Sequence, residues 1–270
     1  PIIKYRGGKS KEIPQIIQYI PQFDGRYIEP FLGGGAMFFH LEPNNAIIND
    51  INVRLINFYK SVQQDFMQLS MELAELENIY SNNRLEFDKL KKLHPEDRIP
   101  DENETLYYQL RDMYNGLIPS TYSDAALYYF INKTAFSGMI RFNAKGEYNV
   151  PYGRYKNLNT KIITEAHHAL LVNTEIHNTD YSDIFNLVNP DDFVFLDPPY
   201  DCIFSDYGNI QYQDGFNEEN HRRLAEDFYN LGCRSLMVIG DTPLIRDLYG
   251  NNIIAEYDNC LLYTSPSPRD

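Results

Sequence analysis

The chain has 270 residues, of which 43% are hydrophobic and 23% charged, and its formal net charge is −14. These values are typical of an ordinary globular protein with one large domain, or with a core domain and a smaller inserted one. No run of residues approaches the roughly 18 to 20 apolar residues of a membrane span, and the N-terminus has no signal-peptide pattern. The cysteines form no CxxC pair, which argues against a disulfide framework or a zinc site. We therefore expect a cytoplasmic protein with no membrane partner and no bound metal.

The charge is distributed unevenly along the chain. Residues 132–161 contain six basic side chains and one acidic one, a local net charge of +5, whereas acidic side chains dominate residues 72–104. A basic segment on an acidic protein suits an enzyme that binds nucleic acid through one face. Charge alone, however, would favour a solvated basic loop.

The start of the chain has the element order of a nucleotide-binding α/β sheet. A helix is predicted over residues 11–20 and a short strand over residues 26–29. The glycine turn at residues 33–35 then leads into an apolar helix, and a second strand over residues 46–50 ends at Asp50. Strand, glycine turn, helix, strand and acid, in that order, open a nucleotide-binding α/β fold.

The middle of the chain, residues 56–165, lacks this alternation of strands and helices. Its pattern is helical and polar, is interrupted by prolines, and closes with aromatic and basic residues. We interpret it as an inserted, mostly helical domain that ends in a β-hairpin. Residues 1–55 and 166–260 would then form one α/β domain around a Rossmann-like sheet.

The α/β pattern resumes after the inserted segment. It begins at residues 170–172, and strands follow at residues 174–177 and 193–196, the second of which ends at an aspartate. An acidic helix over residues 217–230 precedes another buried strand at residues 234–239.

The two ends of the chain depart from a regular pattern. A further strand is expected after residues 253–257, but the sequence passes into a Ser/Pro-rich stretch. We interpret residues 261–270 as an atypical tail, compatible with a natural disordered end or a sequence artefact. The absence of Met at position 1 suggests that the natural N-terminus lies upstream.

Two features in the first part of the chain indicate a nucleoside ligand. Gly33, Gly34 and Gly35 permit a tight turn and a close approach to a ligand, because no Cβ intervenes. Asp50 can accept hydrogen bonds from both ribose hydroxyls, or it can simply cap the helix that follows. The GxGxxG spacing is absent, which counts against NAD.

The segment Asp197-Pro198-Pro199-Tyr200 is the most specific pattern in the chain. It follows an apolar strand, so Asp197 should lie at the carboxyl end of that strand, where open α/β sheets bind ligands. An exocyclic amino group has two hydrogens to donate. Asp197 can accept one and the Pro198 carbonyl the other, which directs the nitrogen lone pair toward a methyl donor, and Tyr200 offers a flat face to a base. The segment predicts methylation of an amino nitrogen on a flipped base; the alternative is a strand end followed by a Pro-Pro turn.

In the order glycine turn, inserted domain and Asp-Pro-Pro-Tyr, the chain resembles the Dam-type family of DNA adenine-N6 methyltransferases. The likeness covers residues 2 to about 258 and includes the sequences KYRGGK at 4–9, FLGGGA at 31–36, NDIN at 49–52 and NAKGEYNVPYGRY at 143–155. It implies S-adenosyl-L-methionine as the methyl donor and double-stranded DNA as the partner. It also implies that residues 1–55 and 166–260 form the catalytic domain and residues 56–165 the DNA target-recognition domain.

The resemblance carries over to individual residues. It implies contacts to S-adenosylmethionine from Tyr5, Lys9, Phe31, Gly33, Gly35, Asp50, Asp180 and Asp197. It implies that the catalytic residues are Asp197, Pro198 and Tyr200. It implies DNA contacts from Lys133, Arg141, Lys145, Arg154 and Lys156, of which Arg141 contacts a base or a phosphate.

Several alternatives remain open from the sequence. Methylation of cytosine N4 needs the same motif chemistry, so a cytosine-N4 methyltransferase is one alternative. The other is a catalytically inactive DNA-binding module, which is not an enzyme. The resemblance implies a GATC-like target, and we expect a monomer in solution. Tyr5 stands where the best-known members have tryptophan, a change that stacking should tolerate. After about Asn259 the chain no longer follows the family, so we expect a core hairpin to be lost.

Overall fold

The structure, a computed structural model, describes residues 1–5, 7–201 and 216–257 together with the backbone of residues 260–263. The chain divides into two compact units. The first contains Gly7–Ile56 and the described residues from Asn173 onward, together with Pro1. The second contains Asn57–Val172 together with residues 2–5. The sequence-based division had placed residues 2–5 with the α/β domain.

Helices and strands alternate in the first unit, whereas helices dominate the second. The strands are β1 (Tyr27–Glu29), β2 (Ala46–Asn49), β3 (Thr174–His177), β4 (Phe193–Leu196), β5 (Arg234–Gly240), β6 (Ile253–Tyr257) and β7 (Cys260–Tyr263). The helices are α1 (Ile13–Ile16), α2 (Phe38–Leu41), α3 (Val53–Gln64), α4 (Phe66–Leu93), α5 (Glu102–Tyr114), α6 (Asp124–Thr134), α7 (Glu165–Val172), α8 (Tyr181–Phe185), α9 (Glu218–Tyr229) and α10 (Pro243–Tyr249). Within the described part of the chain, no helix combines the length and the apolar character needed to cross a bilayer.

The sheet of the first unit has the strand order β3-β2-β1-β4-β5-β7-β6. Strands β3, β2, β1, β4 and β5 are parallel, and β7 runs antiparallel to both of its neighbours. The Rossmann-like α/β fold expected from the sequence is therefore confirmed. After β3 the chain crosses to the other side of β1, so the strand order reverses between β1 and β4. Open α/β sheets bind ligands at such a switch point, beyond the carboxyl ends of the strands.

The central strands are buried on both faces, as expected where helices cover a parallel sheet. All residues of β1, β2 and β4 are buried, and in β5 only Arg234 is exposed. One core cluster joins Val194 and Met237 of the sheet to Leu224 and Phe228 of α9 and to Tyr249 of α10. This packing holds the carboxyl ends of the strands in fixed positions.

The C-terminal hairpin that the sequence pattern did not reveal is present. Strand β7 pairs with β5 through Met237↔Tyr263 to Gly240↔Cys260, and it also pairs with β6. The expectation that this hairpin is lost was therefore wrong. Pairing between backbones requires no particular side-chain pattern, so the Ser/Pro-rich sequence that follows concealed a short strand. Residues 258–259 and 264–270 lie outside the described residues.

Two further predictions of local structure need correction. The helix predicted over residues 11–20 is a succession of a 3₁₀ turn, the short helix α1 and a second 3₁₀ turn. Pro14 lies in the first turn of α1, a position that tolerates the missing N–H but disfavours a continuous helix through it. Residues 170–172 end α7 instead of resuming the sheet.

Between α6 and α7 the second unit contains the region predicted as a hairpin. Two antiparallel bridges, Ala135↔Tyr152 and Phe142↔Tyr148, pair its two arms. The Asn143 N–H donates to the Glu147 carbonyl at 2.9 Å and closes the turn. The predicted hairpin therefore exists as antiparallel pairing at isolated positions.

Candidate active site

The glycine turn after β1 holds the carboxylate that follows β2. The backbone N–H groups of Gly33 and Asn52 donate to the two oxygens of Asp50, at 2.9 and 2.8 Å respectively. Gly33 and Gly35 have φ angles of 50° and 64°, in the left-handed region that favours glycine. Burial raises the pKa of Asp50, and the two backbone donors partly oppose this shift. The predicted turn and the predicted acid therefore belong to one hydrogen-bonded network.

Asn49, the last residue of β2, ties the loops after β1 and β3 together. Its amide nitrogen donates to the carbonyls of Pro30 and Thr179, both at 3.0 Å, and its Oδ1 accepts from the Thr179 N–H at 3.0 Å. The amide of Asn178 donates to the Asp50 carbonyl at 2.7 Å. Sequence reasoning assigned Asn49 no role of its own, because its partners become neighbours only in the folded sheet. One buried asparagine thus fixes the loops on both sides of Asp50.

The loop after β4 brings Asp197 and Tyr200 together with Lys9. The Lys9 Nζ lies 2.8 Å from Asp197 Oδ1 and 4.6 Å from the centroid of the Tyr200 ring. The Lys9 side chain is 4% exposed and that of Asp197 is 20% exposed, so this ion pair is largely removed from water. Pro198, which lies between Asp197 and Tyr200 in the chain, is buried. The structure therefore gathers these predicted residues into one cluster.

Two carboxyl groups near this cluster have shifted pKa values. Burial raises the pKa of Asp197, whereas the Lys9 ammonium acts to lower it. Burial also raises the pKa of Glu29, at the end of β1, to about 8. The Tyr27 hydroxyl opposes that shift by donating to Glu29 Oε2 at 2.7 Å, and the charge on Asp197 adds to it. Sequence reasoning missed Glu29, because a glutamate at the end of a short strand belongs to no recognisable motif.

Asp180 caps helix α8 and forms an ion pair. Its Oδ1 accepts from the N–H and the hydroxyl of Ser182, at 3.0 and 2.7 Å, and the Arg223 guanidinium donates to both oxygens at 3.1 and 2.9 Å. Although burial alone would raise it, these donors hold the pKa of Asp180 below its ordinary value. Arg223 also lies 4.8 Å from the ring centroid of Tyr181, which packs against Phe31 at 5.2 Å. The roles predicted for Asp180 and Phe31 stay predictions.

The basic residues of the second unit differ in exposure. Arg141, Lys145, Arg154 and Lys156 are exposed, whereas Lys133 is half-buried. Burial, together with the nearby charge of Lys4, lowers the pKa of Lys133 to about 8. Tyr5 belongs to this same unit and is half-buried, and its predicted contact stays a prediction.

Two of the exposed arginines already have partners on the hairpin or nearby. Arg141 donates from Nε to Asn149 Oδ1 at 2.8 Å, which ties it across the two arms. Arg154 has a left-handed φ of 55°, and its guanidinium lies 3.6 Å from Glu104. A non-glycine residue in this region is uncommon and persists only where its surroundings hold it.

The chemistry of this sheet edge defines a class of enzyme. Rossmann-like sheets bind nucleosides here, and an ionised Asp197 followed by two prolines and an aromatic ring can hold an amino group next to a methyl donor. The fold and the site therefore indicate an amino methyltransferase. The chain belongs to the D12 class of N6 adenine-specific DNA methyltransferases, whose family model matches residues 5–259.

Individual relatives agree with this assignment. The chain is 37% identical to the Type II methyltransferase M.CviBI of Paramecium bursaria Chlorella virus NC1A, over 96% of this chain and 89% of that protein. It is 33% identical to the Type II methyltransferase M.MjaIII of Methanocaldococcus jannaschii, over 93% and 86%. It is 27% identical to a DNA adenine methylase of Salmonella typhi, over 92% and 83%. The predicted family is confirmed, and the family favours adenine over the N4-cytosine alternative.

Proposed function

We propose that this protein transfers the methyl group of S-adenosylmethionine to N6 of an adenine flipped out of double-stranded DNA. The observation that carries the proposal is the cluster of Lys9, Asp197 and Tyr200 at the carboxyl end of β4. It combines a carboxylate largely removed from water, a cation that favours its ionised form, and an aromatic ring. Flipping is part of the proposal because an amino group inside a duplex cannot reach such a site.

The residues around Asp50 fit the ribose of an adenosyl group. An ionised carboxylate offers about four acceptor positions, and Gly33 and Asn52 occupy one on each oxygen. Each oxygen therefore keeps capacity for a ribose hydroxyl. When bound, S-adenosylmethionine supplies an electrophilic methyl group. We assign its contacts in the first unit to Lys9, Phe31, Gly33, Gly35, Asp50, Asp180 and Asp197.

The chain's own residues would orient and deprotonate the target amino group. As a carboxylate, Asp197 is the stronger hydrogen-bond acceptor for N6 and can also take up its proton, and the Lys9 ammonium favours that form. The Pro198 carbonyl is the second acceptor. N6 would gain the methyl group as the bond between that methyl and the sulfonium sulfur breaks, which leaves S-adenosylhomocysteine. The Asp197 carboxylate can take up the proton that N6 loses. Stacking of the base on Tyr200 would contribute roughly 1–3 kcal/mol.

The basic residues of the second unit are the proposed DNA contacts. Exposed cations can neutralise DNA phosphates, and DNA binding then depends on the salt concentration. The exposed cations proposed for this role are Arg141, Lys145, Arg154 and Lys156. Lys133 would contribute a weaker contact, because its half-buried side chain is less accessible to a phosphate than those of the exposed cations. A GATC-like target, carried from the Dam-type resemblance, completes the proposal, together with a monomeric state and the cytoplasmic location expected from the composition.

Methyl transfer to unmethylated DNA tests this proposal directly. The protein is incubated with labelled S-adenosylmethionine and with DNA from a host that lacks adenine methylation, and the modified bases are then mapped. We expect N6-methyladenine within one short, recurrent sequence. N4-methylcytosine, or label that never enters DNA, would overturn the proposal, whereas a recurrent sequence other than GATC would overturn only its specificity.

Replacing Lys9 by methionine should move the acid limb of the pH–rate profile to higher pH. Without the ammonium, burial raises the pKa of Asp197 unopposed, so the carboxylate is protonated at a higher pH and activity is lost there. The measurement is kcat as a function of pH at saturating S-adenosylmethionine and DNA. The exposed neighbour Lys11, replaced in the same way, serves as the control. An acid limb that stays in place in Lys9→Met would contradict the role assigned to the ion pair.

A further inference from the structure

The end of β5 lies directly against the ring of Tyr200. Gly240 is the last residue of β5, is buried, and is paired through its backbone with residue 260 of β7. A Cβ built on Gly240 would lie 3.0 Å from Cδ2, 3.4 Å from Cγ and 3.5 Å from Cε2 of Tyr200. A methyl group therefore fits at this position only if the ring moves, because the strand on which it sits is held by its neighbours.

Backbone geometry does not explain the glycine at position 240. Unlike Gly33 and Gly35, Gly240 has no left-handed φ, so its conformation is one that other residues adopt. The contact with Tyr200 supplies the physical reason: only the absence of a side chain lets the ring lie this close to the strand.

A hydrogen bond joins the residue after Tyr200 to the loop that follows β5. The Thr242 hydroxyl donates to Asp201 Oδ2 at 3.0 Å. Thr242 is also the N-cap of α10, where its Oγ1 accepts from the Ile245 N–H at 3.3 Å. Ile245 is fully buried, so the anchoring segment rests on a packed helix.

We propose that Gly240 and Thr242 are positioning residues that set the orientation of the Tyr200 ring, and thereby the place where the target base stacks. This inference rests on the proposed function, in which Tyr200 is the stacking surface. The Lys9 ammonium, 4.6 Å from the centroid, contacts the same ring. A rotation of the ring would thus alter its contact with Gly240 or with Lys9. A displaced ring displaces the base, and an amino group misplaced by about 1 Å loses about 10²-fold in rate.

The central test compares two glycine-to-alanine changes. Gly240→Ala is expected to lower kcat about 3- to 10-fold, because the ring must yield by only a few tenths of an ångström, with the dissociation constant for S-adenosylmethionine unchanged. Gly250→Ala is the matched control, since a Cβ there meets nothing within 4 Å and its φ is −51°. The second readout is the fluorescence of 2-aminopurine at the target position, which aromatic stacking quenches. We expect weaker quenching in Gly240→Ala than in the wild type and in Gly250→Ala.

The hydrogen bond is tested separately through Asp201. Asp201→Ala removes the acceptor without touching the cap of α10, and it should lower kcat and weaken the quenching in the same direction as Gly240→Ala. Asp201→Asn keeps an acceptor for the Thr242 hydroxyl and should restore both. Equal behaviour of the two variants would overturn the role assigned to this hydrogen bond.

A Tyr200→Ala variant separates the inference from the proposed function. If Tyr200→Ala retains wild-type kcat, the stacking role fails and the inference falls with it. If Tyr200→Ala loses activity while Gly240→Ala does not, only the inference is overturned. Should Gly240→Ala lower the melting temperature, the double variant with Tyr200→Ala is expected to restore it toward that of Tyr200→Ala alone. Failure to restore it would contradict the contact itself.

Discussion

Asp197→Ala is expected to lower kcat for DNA methylation by at least about 10²–10³-fold, the loss typical of removing one preorganised group at a transition state. The carboxylate is the acceptor proposed to hold and deprotonate the target amino group. Three nearby acids are engaged elsewhere: Glu29 with the Tyr27 hydroxyl, Glu12 with the Tyr257 hydroxyl, and Asp50 with two backbone N–H groups. Single-turnover rates at saturating S-adenosylmethionine and DNA measure the effect, with some binding of both substrates expected to persist and that of S-adenosylmethionine expected to weaken, because Asp197 is one of its proposed contacts.

This variant needs companions, because it also leaves Lys9 buried without its ion-pair partner. Removing one partner of a buried pair commonly costs about 3–5 kcal/mol, so a loss of activity could reflect unfolding. Asp197→Asn keeps the shape of the side chain. The double variant Lys9→Met/Asp197→Asn removes both charges and should recover much of the stability. Substantial methylation by the folded double variant would refute the role of Asp197.

The parts of the site that were predictable from the sequence are those fixed by local chain geometry. The carboxylates of Asp50 and Asp197 each follow a run of apolar residues, so their places at the ends of β2 and β4 could be read directly. Parallel strands then bring such ends to one edge of a sheet. The glycine turn after β1 was recognisable for the same reason, since two of its members need a left-handed φ.

The parts that could not be predicted depend on contacts between residues distant in the chain. The ion pair between Lys9 and Asp197 exists only because the segment before α1 lies beside the loop after β4. Asn49 and Gly240 act through partners that no spacing rule connects to them. Strand β7 has only four residues and directly precedes the Ser/Pro-rich tail, and its pairing with β5 joins residues at least twenty positions apart.

The half-buried position of Lys133 also depends on its surroundings in the folded protein. Charge patterning counted it with the exposed cations of residues 132–161. It lies near the end of α6, a helix whose residues are almost all buried, and a basic residue there loses water on several sides. Charge along the chain therefore does not show which of the basic residues face solvent.

Glu29→Gln is expected to remove a pH dependence of folding stability that the wild type should show. In the folded protein burial raises the pKa of Glu29 to about 8, whereas the unfolded chain ionises near the ordinary value of 4.5. Between these values the unfolded state binds fewer protons, so the free energy of unfolding falls as pH rises through the window and levels off above it. At 1.36 kcal/mol per pKa unit the total loss is on the order of 5 kcal/mol.

Urea unfolding of both proteins at a series of pH values measures this difference. Glutamine stays neutral and can still accept from the Tyr27 hydroxyl. The free energy of unfolding of Glu29→Gln, relative to that of the wild type, should therefore increase steadily as the pH rises toward 8. The exposed Glu226→Gln is the control and should leave the slope of the wild type unchanged. Parallel curves for Glu29→Gln and the wild type would show that Glu29 does not titrate as argued. Because a neutral Glu29 adds no second negative charge near Asp197, kcat of Glu29→Gln at neutral pH should stay close to that of the wild type.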